Sequence, residues 1–338
     1  MQQSFGSADT GVSQAIGPGS GFLGLATSAP PIFHLPTLNG RLTVELYRKP
    51  ADEGSPESRQ RSDADERPLG PRQASLTRLE RFQIGLVRAT LDAGPLDSAI
   101  RFCQRTVGQR WIRAVSSRLR RVYGLERLPA WDPAQSLILV ANHRSFFDLY
   151  VTTAELVGRG LPQRILFPVR SNFFYDHPLG PLVNGTMSFF AMYPPIFRDR
   201  RRAALNLASL DELAALLRRG GFFVGIHPEG TRKRDEDPYT LLPAQSGVGR
   251  VVHKARVPVV PVFVNGLGND LVRQLRAGIT GRGDPIHLVF GAPIEFGPLL
   301  DAPSGPSTYR RLAERCLEAI AVLGQEEKRL RTSTSPLG

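Results

Sequence analysis

Apolar runs and helical patterns alternate along the chain from about residue 125 to residue 300. Five of the runs are rich in Val, Ile, Leu and Phe, a composition typical of strands buried on both faces. These predicted strands are residues 136–142, 164–169, 221–227, 257–265 and 285–296, and the helical patterns between them are residues 145–158, 201–219 and 245–256. The alternation predicts an α/β fold with a largely parallel central sheet flanked by helices.

Two further helical patterns flank this alternation. Residues 76–124 form an amphipathic segment that is broken at Gly94-Pro95. Near its end, one face is apolar (Trp111, Ile112, Val115, Leu119, Val122 and Tyr123) and the opposite face is basic (Arg110, Arg113, Arg120 and Arg121). Such a helix could lie on an anionic bilayer or cover the protein core, and the pattern leaves both readings open. The last helix, residues 307–331, has a stripe of Leu312, Cys316, Ile320 and Leu323 and would complete an α/β domain over residues 125–331.

The first 75 residues are predicted to be mostly a disordered extension and linker. They begin with a Gly- and Ser-rich stretch and end in the charged, proline-punctuated residues 49–73, with one short strand possible at 40–48. We identify no signal peptide and no apolar run suited to spanning a bilayer. The nearest candidate, residues 178–197, is interrupted by Gly, Asn and four Pro. We therefore expect a cytoplasmic protein that associates peripherally with the inner face of the membrane.

The charge of the chain narrows the choice of partners. A net charge of +12 and a pI of about 10.4 favour an acidic partner, such as anionic lipid, a phosphorylated substrate or an acidic carrier protein. The basic residues are not interleaved with aromatic ones, so nucleic acid is not expected. The two cysteines, Cys103 and Cys316, predict neither a disulfide framework nor a cysteine-based zinc site. Motifs for nucleotide binding and for metal-dependent hydrolysis are not found, and no metal is expected.

The first candidate for chemistry is "NHRSFFD", residues 142–148, at the end of the first predicted strand. His143 and Asp148 are five residues apart and would not share a face of one helix. They can face one site if His143 precedes the helix and Asp148 lies in its first turn. Ser145 as N-cap with Asp148 as the third helical residue would fit a capping box. The spacing is equally compatible with a capping carboxylate and a packed histidine that have no catalytic role.

The second candidate is "HPEGTR", residues 227–232, which also follows a predicted strand. Pro228 and Gly230 favour a tight turn that projects polar side chains from the strand end. The planar, permanently charged guanidinium of Arg232 is suited to binding phosphate. A polar loop with solvated charges is the alternative interpretation.

Together the two stretches resemble the glycerolipid acyltransferase superfamily, which includes lysophosphatidate and glycerol-3-phosphate acyltransferases. "NHRSFFD" resembles its Asn-His-x4-Asp block and "HPEGTR" its Phe-Pro-Glu-Gly-Thr-Arg block. The segments "PPIFRDR" (194–200) and "VPVVPVFV" (257–264) are similar to its two other blocks, so the resemblance covers about residues 125–300. The chain departs from the pattern at His227, where the family usually has Phe, and at Gln245, near which the family often has Lys.

The resemblance implies an O-acyltransferase that needs no cofactor. It would move a fatty acyl group from acyl-CoA or acyl-carrier protein to a lysophospholipid hydroxyl, first of all that of 1-acyl-sn-glycerol 3-phosphate. His143 would be the general base and Asp148 its orienting acid. The predicted phosphate-binding set is Arg232, Arg200, Arg198, Glu229, Gly230 and Thr231. Because no G-x-S-x-G motif occurs, the acceptor hydroxyl would attack the thioester directly.

The acyl chain and the acceptor remain open at this point. An uncharged segment, residues 178–197, suggests an acyl-chain groove lined by Met187, Phe189, Phe190 and Met192, although the same residues could simply pack in the core. The acceptor could also be glycerol 3-phosphate, another lysolipid, a lipid-linked amino acid or a glycolipid. A non-catalytic protein that binds lipid or carrier on the same scaffold is a further alternative.

Overall fold

Seven strands of the computed structural model, which describes residues 75–233 and 235–334, form one sheet. They are β1 (Arg120–Tyr123), β2 (Leu137–Ala141), β3 (Arg164–Arg170), β4 (Met192–Ile196), β5 (Phe222–Ile226), β6 (Val259–Asn265) and β7 (Ile286–Phe290). Their order across the sheet is β1-β7-β6-β2-β5-β3-β4, and every neighbouring pair is parallel except β6 and β7. The predicted α/β fold with a largely parallel sheet is confirmed. The predicted extension at residues 1–75, with its short strand, lies outside the described residues apart from Ser75.

Helices cover the sheet and precede it. They are α1 (Arg78–Ala89), α2 (Pro95–Cys103), α3 (Gln109–Ser116), α4 (Asp148–Gly158), α5 (Ser171–Phe174), α6 (Gly180–Ser188), α7 (Ala203–Arg219), α8 (Ser246–Ala255), α9 (Leu271–Thr280) and α10 (Pro306–Thr334). A short π-helix, Gln104–Gly108, joins α2 to α3. The apolar stripe predicted for the last helix is buried along α10, which packs on α8 and β6. Within the residues that the structure describes, no helix combines the length and the apolar character needed to cross a bilayer.

The amphipathic segment predicted for residues 76–124 is only partly helical. α3 ends at Ser116, and residues 120–123 instead form β1, which pairs in parallel with β7. The apolar face predicted from Trp111 to Tyr123 therefore does not lie on a single helix. The backbone N–H of Ile286 donates to the carbonyl of Leu119 at 2.8 Å, so pairing with the sheet prevails over helical periodicity here.

Four adjacent strands place their carboxyl ends at one edge of the sheet, which we call the carboxyl edge. β2, β5, β3 and β4 are neighbours in that order and run in parallel. In the register of the central pair, Val140 of β2 lies opposite Ile226 of β5. The segments that follow these two strands therefore leave the sheet side by side. Ligands of open α/β sheets bind in such a place, beyond the carboxyl ends of the strands.

Candidate active site

His143 leaves the sheet directly after β2, behind a residue that anchors the strand end. The buried amide of Asn142 donates to the carbonyl of Val264 at 2.9 Å and accepts from the N–H of Val264 at 2.7 Å. This pair of bonds continues the pairing of β2 with β6 through a side chain. Asn142 therefore positions the segment from which His143 projects.

Asp148 both holds the turn after His143 and faces its ring. Its Oδ2 accepts from the backbone N–H groups of Arg144 at 2.8 Å and Ser145 at 2.7 Å. The same oxygen lies 3.4 Å from Nδ1 of His143. Asp148 is completely buried, so these contacts replace its solvation. One carboxylate is thus placed for both of the roles that the sequence left open, capping and orienting.

The predicted start of the following helix is wrong by three residues. α4 begins at Asp148, and Ser145 precedes it in a turn. The hydroxyl of Ser145 donates to the carbonyl of Gly268 at 2.7 Å and accepts from the N–H of Phe147 at 3.2 Å. Only the bond from the Ser145 N–H to Asp148 corresponds to the predicted capping box, because the serine hydroxyl is engaged elsewhere.

Glu229 connects the second polar stretch, residues 227–232, to the first. Its Oε1 accepts from the backbone N–H of His143 at 2.7 Å, and its Oε2 accepts from the N–H of Leu242 at 2.7 Å. The side chain is buried, and both oxygens are bound to backbone. Gly230 follows with φ of +65°, a conformation that favours glycine. Glu229, predicted to help bind phosphate, is placed to brace the backbone of His143, and Thr231 is exposed beside it.

The rings of His143 and His227 are stacked. Their centroids are 3.7 Å apart and their planes are inclined by 10°. Nδ1 of His227 lies 3.0 Å from the carbonyl oxygen of Ala141, which identifies this nitrogen as the protonated one of the neutral ring. The sequence marked His227 only as a departure from the family pattern, whereas the structure places it against the candidate base.

Burial sets the protonation states of this cluster. Desolvation, and secondarily the charge of Arg232, lower the pKa of His143 to about 3. Desolvation and the neighbouring His143 likewise lower the pKa of His227 to about 3. Desolvation raises the pKa of Asp148 to about 6. At neutral pH both imidazoles are therefore neutral and the carboxylate is ionised, the states required of a base and its orienting acid.

Four arginines lie on the segments that leave the carboxyl edge. Arg232 donates to Oδ1 of Asn269 at 3.0 Å and is close enough to His143 to influence its pKa. Arg170, the last residue of β3, donates to the carbonyl of Gly230 at 3.4 Å. Arg198 and Arg200 are exposed in the segment that follows β4. Sequence reasoning missed Arg170, although its position directly after a predicted strand was the available signal.

The residues predicted to form an acyl-chain groove occupy different surroundings. Phe189 lines a cavity of about 40 Å³ between the π-helix, α3, α4 and β3. Tyr150 lines the same cavity, and its ring centroid lies 5.5 Å from that of Phe146 in the turn before α4. Phe190 is half-buried, Met192 is buried within β4, and the side chain of Met187 is outside the described residues. Of the four predicted groove residues, Phe189 is the one that lines this cavity.

A metal ion does not fit the cluster as it stands. One potential ligand atom from each of His143, Asp148 and His227 lies within 4.8 Å of the others. An imidazole binds a metal through a lone pair in the plane of its ring, and two parallel rings 3.7 Å apart do not converge on one ion. The geometry suits proton transfer at His143 better than coordination.

Residues 119–265 match the sequence model of the family described as Acyltransferase. This segment contains β1 to β6 with both polar stretches, and its match to an acyltransferase model supports the resemblance to the glycerolipid acyltransferase superfamily that the two blocks predicted. The names of individual relatives are more specific than the description of the family. The chloroplastic 1-acyl-sn-glycerol-3-phosphate acyltransferase BAT2 of Brassica napus is 30% identical over 173 residues, which are 51% of this chain and 44% of that protein.

Two further relatives carry the same description. A 1-acyl-sn-glycerol-3-phosphate acyltransferase of Chlamydomonas reinhardtii is 31% identical over 54% of this chain and 51% of its own length. The human 1-acyl-sn-glycerol-3-phosphate acyltransferase alpha is 27% identical over 45% of this chain and 48% of its own length. The chain thus spans about half the length of the relatives it matches. The crystal structure of the acyltransferase PlsC from Thermotoga maritima is 20% identical, with a TM-score of 0.44 over 73% of this chain and 89% of that one.

Proposed function

We propose that the protein transfers a fatty acyl group from a thioester donor to the hydroxyl of a lysophospholipid, with 1-acyl-sn-glycerol 3-phosphate as the preferred acceptor. The observation that carries the proposal is the contact between Nδ1 of His143 and Oδ2 of Asp148 at the carboxyl edge. The acyltransferase family match and the names of the relatives support it. Acyl-CoA and acyl-carrier protein are the candidate donors.

The reaction follows from the orientation of one imidazole. Because Nδ1 of His143 faces Asp148, Nε2 is the nitrogen available to the acceptor hydroxyl. Nε2 takes the hydroxyl proton while the oxygen attacks the thioester carbonyl. The tetrahedral intermediate then collapses, the carbon–sulfur bond breaks, and the thiolate takes the proton from His143. Asp148 stabilises the imidazolium between these two steps.

Acceptor selectivity is assigned to the cations beside the base. Arg232 offers a guanidinium fork, and Arg170, Arg198 and Arg200 lie on the neighbouring segments of the same edge. A phosphate held there would present the glycerol hydroxyl of the same molecule to His143. This arrangement favours a phosphate-bearing lysolipid over a neutral one.

One assay of the purified full-length protein tests the proposal. Acyl-CoA and acyl-carrier protein of several chain lengths would each be offered with lysophosphatidate, glycerol 3-phosphate, neutral lysolipids and acylated amino acids. Products would be identified by mass spectrometry. Diacylated glycerol phosphate should be the main product. A protein that acylates none of these acceptors with either donor would contradict the proposed activity.

Arg232→Ala should raise KM for lysophosphatidate about tenfold or more, since a charge-assisted hydrogen bond contributes about 1.5–3 kcal/mol. The kcat should change less, because Arg232 is assigned to binding. With a monoacylglycerol acceptor, which lacks phosphate, the variant and the unaltered protein should have similar KM values. Arg310→Ala, which removes an exposed arginine paired with Glu314 on α10, is the matched control. Equal weakening of both acceptors would contradict the phosphate role.

We also propose that exposed apolar side chains on neighbouring helical segments rest on the membrane. These side chains come from α1, α2, the π-helix and the start of α6, and they are Phe82, Leu96, Phe102, Val107, Leu179 and Leu182. These elements are in contact, since Gln83 of α1 donates to the carbonyl of His177 at 2.8 Å and α6 packs on the π-helix. Exposed apolar patches of this kind mark interaction sites. The net charge of +12 suits an anionic inner leaflet.

The double variant Phe82→Ser, Phe102→Ser should weaken binding to vesicles of phosphatidylglycerol and phosphatidylcholine by about tenfold. The reason is that serine lacks the apolar ring that each phenylalanine would bury in the bilayer. These two side chains are 67% and 65% exposed, so the fold should tolerate the change. Val322→Ser on α10, a site 68% exposed, is the control on another element. Vesicle sedimentation measures the effect. Unchanged binding of the double variant would place the membrane contact elsewhere.

A further inference from the structure

The stacked position of His227 suggests a role beyond filling space next to the base. The two ring centroids are 3.7 Å apart, and the interplanar angle of 10° makes the contact face to face. His227 occupies the first position after β5, and His143 follows the neighbouring strand β2. The contact is therefore built into the sheet and joins the two polar stretches through their side chains.

His143 has a well-fixed backbone and a weakly fixed ring. Its N–H donates to Glu229 at 2.7 Å, and its carbonyl accepts from the N–H of Lys233 at 3.0 Å. The ring contact to Asp148, in contrast, is long at 3.4 Å. The same Asp148 oxygen takes shorter bonds from two backbone N–H groups. Rotation of a histidine ring about χ2 is broad, so backbone anchoring alone does not orient Nε2.

His227 is itself held rigidly. Its Nδ1–H donates to the carbonyl of Ala141, the last residue of β2, at 3.0 Å. Its backbone carbonyl accepts from the N–H of Gly230 at 3.0 Å, which closes the turn. The plane of the ring is thereby fixed relative to both strands. A ring lying flat against this plane is restricted to two χ2 orientations that differ by a 180° flip, and the Asp148 carboxylate favours the one that brings Nδ1 towards it.

We propose that His227 is a positioning residue, whose fixed ring holds the imidazole of His143 with Nδ1 towards Asp148 and Nε2 towards the acceptor. The expected effect on catalysis rests on the proposed function. The effect on the orientation of the His143 ring does not depend on it. His143 is better suited than His227 to be the base, because its Nδ1 faces the Asp148 carboxylate, which can stabilise an imidazolium, whereas the Nδ1–H of His227 donates to the neutral carbonyl of Ala141. Phenylalanine keeps the flat ring and loses the bond to Ala141, so it should retain most of the positioning, whereas an aliphatic side chain should not.

Nuclear magnetic resonance of ¹⁵N-histidine-labelled full-length protein tests the positioning directly. The variants are His227→Phe, His227→Leu and His227→Ala, with His143→Ala used to assign signals. The unaltered protein and His227→Phe should show one His143 tautomer, protonated at Nδ1 and neutral from pH 5 to 8. The leucine and alanine variants should show averaged tautomers and titration nearer pH 6.5, the ordinary range. A His143 spectrum that is the same in all four proteins would overturn the proposal.

Kinetics with the same variants measure the consequence. The kcat should fall about tenfold or more for the alanine and leucine variants, because a misdirected base loses its attack geometry. Both KM values should change less than about twofold, and His227→Phe should keep kcat within about threefold.

The leucine variant separates loss of the ring from creation of a cavity. A phenylalanine variant as slow as the alanine variant would also overturn the proposal, since it would make the nitrogens, not the ring, essential. Absence of acyl transfer in every protein would refute the proposed function, and the spectra would still decide the positioning.

Discussion

His143→Ala should lower kcat/KM for acyl transfer by about 10³-fold or more, as expected when a general base is removed from a site that still binds its substrates. Nδ1 of His143 contacts Asp148, which leaves Nε2 as the nitrogen proposed to take the proton of the acceptor hydroxyl. Its neighbours are less suited to replace it. His227 contacts the neutral carbonyl of Ala141 rather than a carboxylate, and Asp148 is completely buried.

The loss should appear in kcat more than in KM, because His143 acts on the hydroxyl proton and the phosphate is assigned to Arg232. The fold should persist, since Glu229 and Lys233 hold residue 143 through its backbone. Circular dichroism and thermal unfolding would establish this. His177→Ala, which removes an exposed imidazole outside the cluster, should retain full activity. Activity within tenfold of the unaltered protein would remove His143 from the mechanism.

The predictability of the strands depended on where each lies in the sheet. β2, β5 and β6 are central and covered on both faces, so their uninterrupted apolar runs were recognised. β4 is an edge strand with Pro194 and Pro195 at its centre, and prolines are a signal against a strand. β1 has four residues, two of them arginine, and it was not recognised because the helical pattern predicted for residues 76–124 continues across it. β4 is as buried as β5, so its prolines account for the missed strand, whereas β1 is short and only partly buried.

The candidate residues of the site could be named from the sequence, and their geometry could not. "NHRSFFD" and "HPEGTR" identified His143, Asp148 and Arg232 through a family resemblance. The bracing by Glu229 and the stacking by His227 depend on β2 lying next to β5, which local patterns do not specify. Arg170 was missed for the same reason, since β3 reaches the site only as the next strand in the order.

Asp148→Asn should lower kcat about 10²- to 10⁴-fold while leaving the turn intact, by analogy with orienting acids of catalytic triads. The amide oxygen can still accept from the N–H groups of Arg144 and Ser145, which preserves the start of α4. The charge that stabilises the imidazolium is lost. Asp148→Ala removes both functions, so it should unfold at a lower temperature than Asp148→Asn. This comparison separates the structural role of the carboxylate from its role towards His143.

The pH dependence should follow the same carboxylate. Burial raises the pKa of Asp148 to about 6, so kcat/KM should rise between pH 5 and pH 7 as the carboxylate forms, and this rise should be absent in Asp148→Asn. The folded protein holds this proton more tightly than the unfolded chain does, so ionisation of Asp148 lowers stability as the pH rises through about 6. The difference in the free energy of unfolding between the unaltered protein and Asp148→Asn should therefore shrink from pH 5 to pH 7.5. The histidines titrate in both proteins, so their contribution cancels in this difference. Rate profiles that coincide for the two proteins would show that Asp148 serves the turn alone, because a capping carboxylate with no catalytic charge would leave the rate unchanged.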